Sequence, residues 1–336
     1  MMKTKRIILL ATVSLLSIAL QSCQKDDFLA EAAAFFNISS SASSNPFADE
    51  NDDSPEQLSG FDANGASNSI FTVGYQGLYP KKVRFSRGNL QYQAITDTWR
   101  FAGRQYAYLG QRNDSIGIVD EDWIDLFCWG TAGWRMSKPN TINAECYEPY
   151  SSSSNYFNYY VLNDPEQDLL GDSCRQADWG VYNAISNGGN RKDQWRTLKA
   201  SEWEVLLGGT HAEVRVNKNG LATISGIYHG LVILPDVWAI PDGLTFTPGA
   251  GRGWNTNSYS DDEWTMMENA GAIFLPAAGL RIGQGTQNVG EAGYYWSVNH
   301  YDMQSCHAIG FWNEQINATN RQNRGRGLSV RLVKDI

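Results

Sequence analysis

The stretch "QWRTLKASEWEVLLGG", Gln194 to Gly209, decides how the rest of the chain is read. Ser201 offers an N-cap oxygen, Glu204 stands three residues on where a capping box needs its carboxylate, and Gly208 and Gly209 stop the run. This spacing predicts a helix. "DWGVYNAIS", from Asp178, predicts a second, and "DEDWIDLFCWGTAGW", from Asp120, a short helix or turn behind acidic capping residues. Working outward, "KKVRFSRGNLQYQ" from Lys81 and "TWRFA" from Thr98 alternate apolar and polar residues, as a half-buried hairpin does. Downstream, "GLVILP" from Gly230, "GAIFLPAAGLR" from Gly271 and "LSVRLV" from Leu328 read as buried strands. Helices early and short strands late, without strand-helix alternation, predict an α+β domain. No period of 20–50 residues repeats, which argues against solenoids and propellers.

The first residues suggest where the chain resides. "MMKTKRIILLATVSLLSIALQSC" has a basic start, an apolar run from Ile7 to Leu20 and a small residue before Cys23, which predicts a secretion signal over residues 1–22. "LQSC" resembles the lipobox of bacterial lipoproteins, which makes Cys23 the lipidated residue and the membrane a partner through that lipid. "QKDD", directly after it, resembles the export signal that sends Bacteroidetes-type lipoproteins to the outer face of the outer membrane. Residues 23–69 are rich in Ser, Asn, Asp and Ala and predict a disordered tether, with the folded domain running from Ile70 to Ile336.

Charge narrows the partners. Loss of residues 1–22 removes Lys3, Lys5 and Arg6 and no acid, so the net charge moves from -9 to -12. An acidic domain repels phosphate backbones, which argues against nucleic acid. The 12 Trp and 32 Gly point to a loop-rich, aromatic-laced fold. Cys128, Cys146, Cys174 and Cys306 are an even set beyond the signal, so disulfides are permitted, and a staple between Cys146 and Cys174 would close a long excursion.

Eight blocks carry a family resemblance: "VRFSRGNLQYQ", "WIDLFCWGT", "ADWGVYNAISNGG", "QWRTLKASEWEVLL", "GLVILPDVW", "GAIFLPAAGLR", "GYYWS" and "GLSVRLV", in that order. Together they resemble the Fibrobacter succinogenes major paralogous domain group of secreted proteins. The resemblance implies a single C-type-lectin-like domain, the fold of formylglycine-generating enzymes, over nearly all of Ile70 to Ile336. The residues of that fold's chemistry are not all present. Cys306 stands without the second thiol of the copper site, the four His have no metal-ligand spacing, and "WNE" at Trp312 lacks the partner motif of calcium-binding lectins. "GAGRG" and "GLRIGQG" read as turns. The expectation is a chain that is not an enzyme and needs no metal or cofactor.

In C-type-lectin-like proteins the last strands and their loops form the exposed binding face, and residues 296–324 occupy that place here. "WSVNHYDMQSCHAIGFWNEQ", from Trp296, mixes side-chain chemistries with no helical or strand period, and reads as surface loops. Trp296, Ser297, Ile309, Phe311, Ile316 and Val330 are expected inside. Asn299, His300, Tyr301, Asp302, Gln304, Trp312, Glu314, Asn320, Gln322 and Asn323 are the candidate ligand contacts, since aromatic and amide side chains make adaptable binding surfaces. Asn299 to Asp302 also fit products of an Asn codon rewritten at its first two bases by a diversity-generating retroelement, although Met303, Gln304, Trp312, Glu314, Gln315 and Gln322 do not. The expected function is ligand binding, of protein or glycan, at the cell surface. The alternative is a structural or adhesin-type subunit of a surface assembly.

Overall fold

The C-terminal strand closes the domain against its beginning. β16 (Leu332–Asp335) lies between β2 (Tyr79–Phe85) and β6 (Arg196–Thr197), and β2 in turn pairs with β1 (Phe71–Gln76). This computed structural model describes residues 60–114, 122–132, 168–169, 175–208 and 215–336, all within the unit Pro46–Ile336. The predicted signal, Cys23, the tether to residue 59, Cys146 and Cys174 lie outside the described residues.

The architecture is mostly β-sheet with few helices, and loop-rich. Besides the closing sheet there is a four-stranded sheet of β10 (Ile273–Pro276), β8 (Tyr228–Ile233), β7 (Asn219–Ile224) and β9 (Ser258–Tyr259). A three-stranded sheet joins β4 (Thr98–Phe101), β3 (Leu90–Gln93) and β5 (Trp123–Ile124), and β11 (Leu280–Ile282) pairs with β12 (Gly285–Gln287). The last sheet is the antiparallel meander β13 (Ala292–His300), β14 (Ser305–Trp312) and β15 (Gln315–Asn323). Among the described residues the α-helices are α1 (Trp179–Tyr182), α2 (Ala200–Leu206) and α3 (Asp261–Asn269).

Several expectations are met and several corrected. "GLVILP" and "GAIFLP" are the fully buried runs of β8 and β10, hydrogen-bonded to each other. The predicted hairpin divides: Leu90–Gln93 pairs with Thr98–Phe101 as read, but "KKVRF" belongs to β2 in the closing sheet. Of "DEDWIDLFCWGTAGW" the described residues 122–132 form the turn and not the helix: Trp123 and Ile124 add an edge strand to β3, and a turn follows at Trp129 and Gly130. Among the described residues five strands, β1 to β5, precede the first helix, α1, so helices do not come early there. The ordered domain starts before Ile70, since Phe61 and Ala66 are buried in the core and residues 60–69 already form turns and bridges.

Helix α2 exists, but its frame differs from the predicted one. Glu202, not Glu204, accepts from the first backbone N–H, that of Lys199 (2.8 Å). The reason is tertiary: Arg196 grips Glu202 at 2.6 and 2.9 Å and Asp335 at 2.7 Å, so one guanidinium ties β6, α2 and β16 together. Ser201 lies exposed in the first turn. The true Ser-x-x-Glu box is at α3, where Ser260 and Glu263 cap reciprocally (3.2 and 2.7 Å), and sequence reading missed that helix.

Tryptophans bind the loops into a core. Trp129, Trp179, Trp195, Trp203, Trp264 and Trp296 are buried. The Nε1–H groups of Trp129, Trp195 and Trp296 donate to the carbonyls of Ser297, Gly188 and Phe127 (2.9, 2.8 and 2.7 Å), so each ring packs one element while its polar edge holds another. Gly180 is required where α1 meets β6, since a Cβ there would stand 2.6 Å from the Trp195 carbonyl carbon. Asp178 caps α1 through the N–H groups of Gly180 and Val181 and also accepts from Thr197 (3.1 Å). Complete burial raises its carboxyl pKa.

Arg331 is wholly buried behind β16. Its Nη2 donates to Gln105 Oε1 (2.9 Å) and its Nη1 to Asn89 Oδ1 (3.3 Å). Asn89 donates to the Tyr295 hydroxyl (3.1 Å), and Gln105 donates to Glu268 (2.9 Å). Burial lowers the guanidinium to about 10, still protonated at neutral pH. One side chain thus links the chain's end, two early loops and helix α3.

Candidate ligand-binding face

Residues 296–324 are strands and two short turns, not surface loops. The period is hidden for two reasons. Tyr295 and Trp296 point to opposite faces of β13 and both are buried, so apolar residues run consecutively. Register shifts between Trp296 and His300, and between Ala308 and Gly310, then break the alternation. The expected framework holds: Trp296, Ser297, Ile309, Phe311 and Val330 are buried and Ile316 is half-buried.

The β13–β14 turn is built by its own side chains and by an arginine. Asp302 Oδ1 accepts from the N–H groups of Gln304 and Ser305, both at 2.7 Å, and Arg324 Nη2 donates to the Asp302 carbonyl (2.8 Å). Slight burial works the other way, but those two N–H donors hold the Asp302 carboxyl below its ordinary range. The turn therefore presents Tyr301 and Met303, 42% and 51% exposed, on fixed backbone.

Tyr301 is the centre of a stacked group. The Arg321 guanidinium lies 3.5 Å from its ring centroid, and His307 meets it edge-on at 5.3 Å. His307 and Arg321 are directly opposed across β14 and β15, which explains the convergence. Partial burial, then the Arg321 charge, lower the His307 pKa against the pull of Glu204 and Asp168.

Asn299 and His300 are not available as expected. Asp168 accepts from the Asn299 amide (2.7 Å) and the His300 N–H (2.9 Å) and pairs with His300 Nδ1 (2.8 Å). Asn299 Oδ1 accepts from Ala200 N (2.8 Å) and so satisfies an orphan donor at the start of α2. These two residues brace the face and do not line it.

Trp312 and Glu314 belong to the other end of β14, about 23 Å from Tyr301 at roughly 3.3 Å per residue. Trp312 is half-buried, Glu314 is exposed in the β14–β15 turn at φ +66°, and neighbouring Asn313 docks that turn by accepting from Trp254 N (3.1 Å). Between the ends, Gly310 leaves the sheet flat beside Trp312 and Asn320. Asn320 accepts from Gln322 (2.9 Å), whose own Oε1 accepts from Arg326 (2.5 Å). Gln322 is buried rather than exposed, because it faces Cys306 and is held between these neighbours. Asn323 is half-buried and accepts from Gly325 N (2.9 Å).

No family model, curated protein or solved structure matches the chain. Of the ten candidates, Tyr301, Asp302 and Gln304 share one exposed turn, and half-buried Trp312 and Asn320 lie on the sheet face under which Gln322 is buried. Sequence reading missed Arg321, His307, Met303 and Asp168. The alternation of Arg with amides in "NRQNRGRG" signals Arg321, whereas nothing local signals Asp168, which is 132 residues from His300. A cleft of about 420 Å³ between α1, β6 and β16, lined among others by Val181, Trp195 and Asp335, shares no residue with this face. Among the described residues no three His, Cys, Asp or Glu converge as a metal site, and no helix is long and apolar enough to cross a membrane. Cys128 and Cys306 are buried thiols, and burial pushes the Cys306 thiol up.

Proposed function

We propose that this chain is a non-enzymatic surface lipoprotein of the outer membrane, anchored at Cys23, whose domain is C-type-lectin-like and binds a protein or glycan through its β13–β14 turn. The observation that carries the reading is the exposed Tyr301 ring under the Arg321 guanidinium, beside exposed Met303 on a turn locked by Asp302. Tyr and Arg dominate binding hot spots, and a pre-stacked pair loses little entropy when a ligand covers it. A spacer subunit has no need of such a platform. The resemblance of the eight blocks to the paralogous domain group supports the fold and the surface role.

The test is a glycan array and a cell-surface capture run with wild type and with Tyr301→Ala plus Arg321→Ala. Ligands retained by wild type and lost by the variant support the reading, and ligands retained by both place binding elsewhere. For location, Cys23→Ala should release the protein from membranes, and protease added to whole cells should remove it.

A further inference from the structure

The most exposed apolar group on the described molecule is not on the meander. β1 and β2 form a hairpin with Gln76 opposite Tyr79, so the turn is Gly77 and Leu78. Gly77 has φ +62°, the conformation a two-residue turn demands of glycine, and this puts Leu78 at the apex. Leu78 is 93% exposed, Tyr79 80% and Tyr75 46%. Nothing lies within 4 Å of a Cβ built on Gly74 or Gly77, so the tip projects freely.

Cations stand directly behind it. The closing sheet carries Lys81, Lys82, Arg84, Arg196 and Lys334 against a single acid, Asp335, on a chain of net charge -9. Asp335 and Glu202 are held by Arg196, and Asp236, which binds Thr72 opposite Lys82, is held by Arg215. Arg84 lies directly across from Lys334, a like-charge pair that costs stability. Lys82, Arg84 and Lys334 form no ion pair among the described residues.

We propose that this hairpin docks the domain on an anionic lipid surface. Leu78 and the two tyrosines enter the interface, where tyrosine is favoured, and Lys82, about 10 Å back at roughly 3.3 Å per residue, meets the headgroups. Arg84 and Lys334 add attraction from farther out, and their mutual repulsion is relieved there. The shape favours lipid over protein. A convex tip of three side chains has neither the pocket nor the rim of a protein hot spot and falls short of the area a stable protein interface needs, whereas shallow insertion plus basic charge suffices for a membrane surface. The inference is independent of what the Tyr301 face binds.

The experiment is hydrogen exchange on the full chain, read at the amides of residues 77–79, with vesicles of phosphatidylcholine alone or with about one-third phosphatidylglycerol. That local readout separates the hairpin from any association through the N-terminal segment. Slowed exchange at 77–79 with the anionic vesicles only is expected. Leu78→Ser with Tyr79→Ser should abolish it, and Lys82→Glu with Lys334→Glu should weaken it at least tenfold, given roughly fivefold per cation removed. All four substitutions are at exposed or half-exposed positions, and a thermal midpoint no lower than that of wild type verifies that the variants fold. Unaltered exchange at 77–79, equal protection by neutral vesicles, or protection that needs only a higher protein concentration would overturn the proposal, the last because a second copy then covers the tip.

Discussion

Arg331 is sealed behind the closing strand on the amides of Asn89 and Gln105, whereas Arg321, ten residues earlier, lies in solvent against the ring of Tyr301. Arg321 is in β15, and Arg331 stands immediately before β16. The buried one faces neutral acceptors that are themselves oriented by Tyr295 and Glu268, and removing it would take a donor from Asn89 Oδ1 and leave Gln105 Oε1 with the Phe274 N–H. The exposed one touches a single ring and a neighbouring imidazole. The C-terminal segment thus does two separable jobs: residues 328–335 join the domain's ends, and residues 301–321 present a surface.

The largest expected effect breaks the first job. Arg331→Leu should lower stability by about 3 kcal/mol, since buried partners lose their donor. A urea unfolding midpoint within error of wild type would mean that the network is not what closes the fold.

The buried core strands were partly legible in the sequence and the surface hardly at all. "GLVILP" and "GAIFLP" could be read because strands covered on both faces are continuous apolar runs. The α3 helix could not, because its capping box sits in a polar run and buries little beyond Trp264 and Met267. The box read at Ser201 was displaced by the Arg196–Glu202 ion pair, a contact that no local pattern encodes. The meander was hidden by burial on both faces and by its bulges. The brace of Asn299 and His300 depends on Asp168, far away in the chain.

A middle-sized effect sharpens the boundary between the two jobs. Asn299→Ala removes the acceptor of Ala200 N and one Asp168 contact, and should cost about 1 kcal/mol, as loss of a helix cap does. If it leaves the urea midpoint untouched and impairs only ligand capture, Asn299 belongs to the face after all.

A smaller effect is a pH slope. The folded environment lowers the His307 pKa, so below the unfolded value of about 6.5 the unfolded chain takes up a proton that the folded face resists. Stability should therefore decline as pH falls from about 6.5 toward the folded value, and by less than the Asn299 effect. His307→Gln should flatten that part of the profile in thermal unfolding, and an unaltered slope would assign it to other groups.

The smallest expected effect on stability belongs to the residues on which the functional reading depends. Tyr301→Ala and Arg321→Ala, singly and together, should each shift the thermal midpoint by no more than about 0.5 kcal/mol allows. On a ligand captured by the wild-type chain, each single change should weaken binding by about tenfold or more, and the double change should cost less than the two losses added, because the ring and the guanidinium act as one stacked unit. This double-mutant cycle, read in parallel as affinity and as thermal midpoint, separates a binding surface from a structural one. The expected result is coupled loss of binding at unchanged stability, and a marked fall in midpoint with binding retained would contradict it.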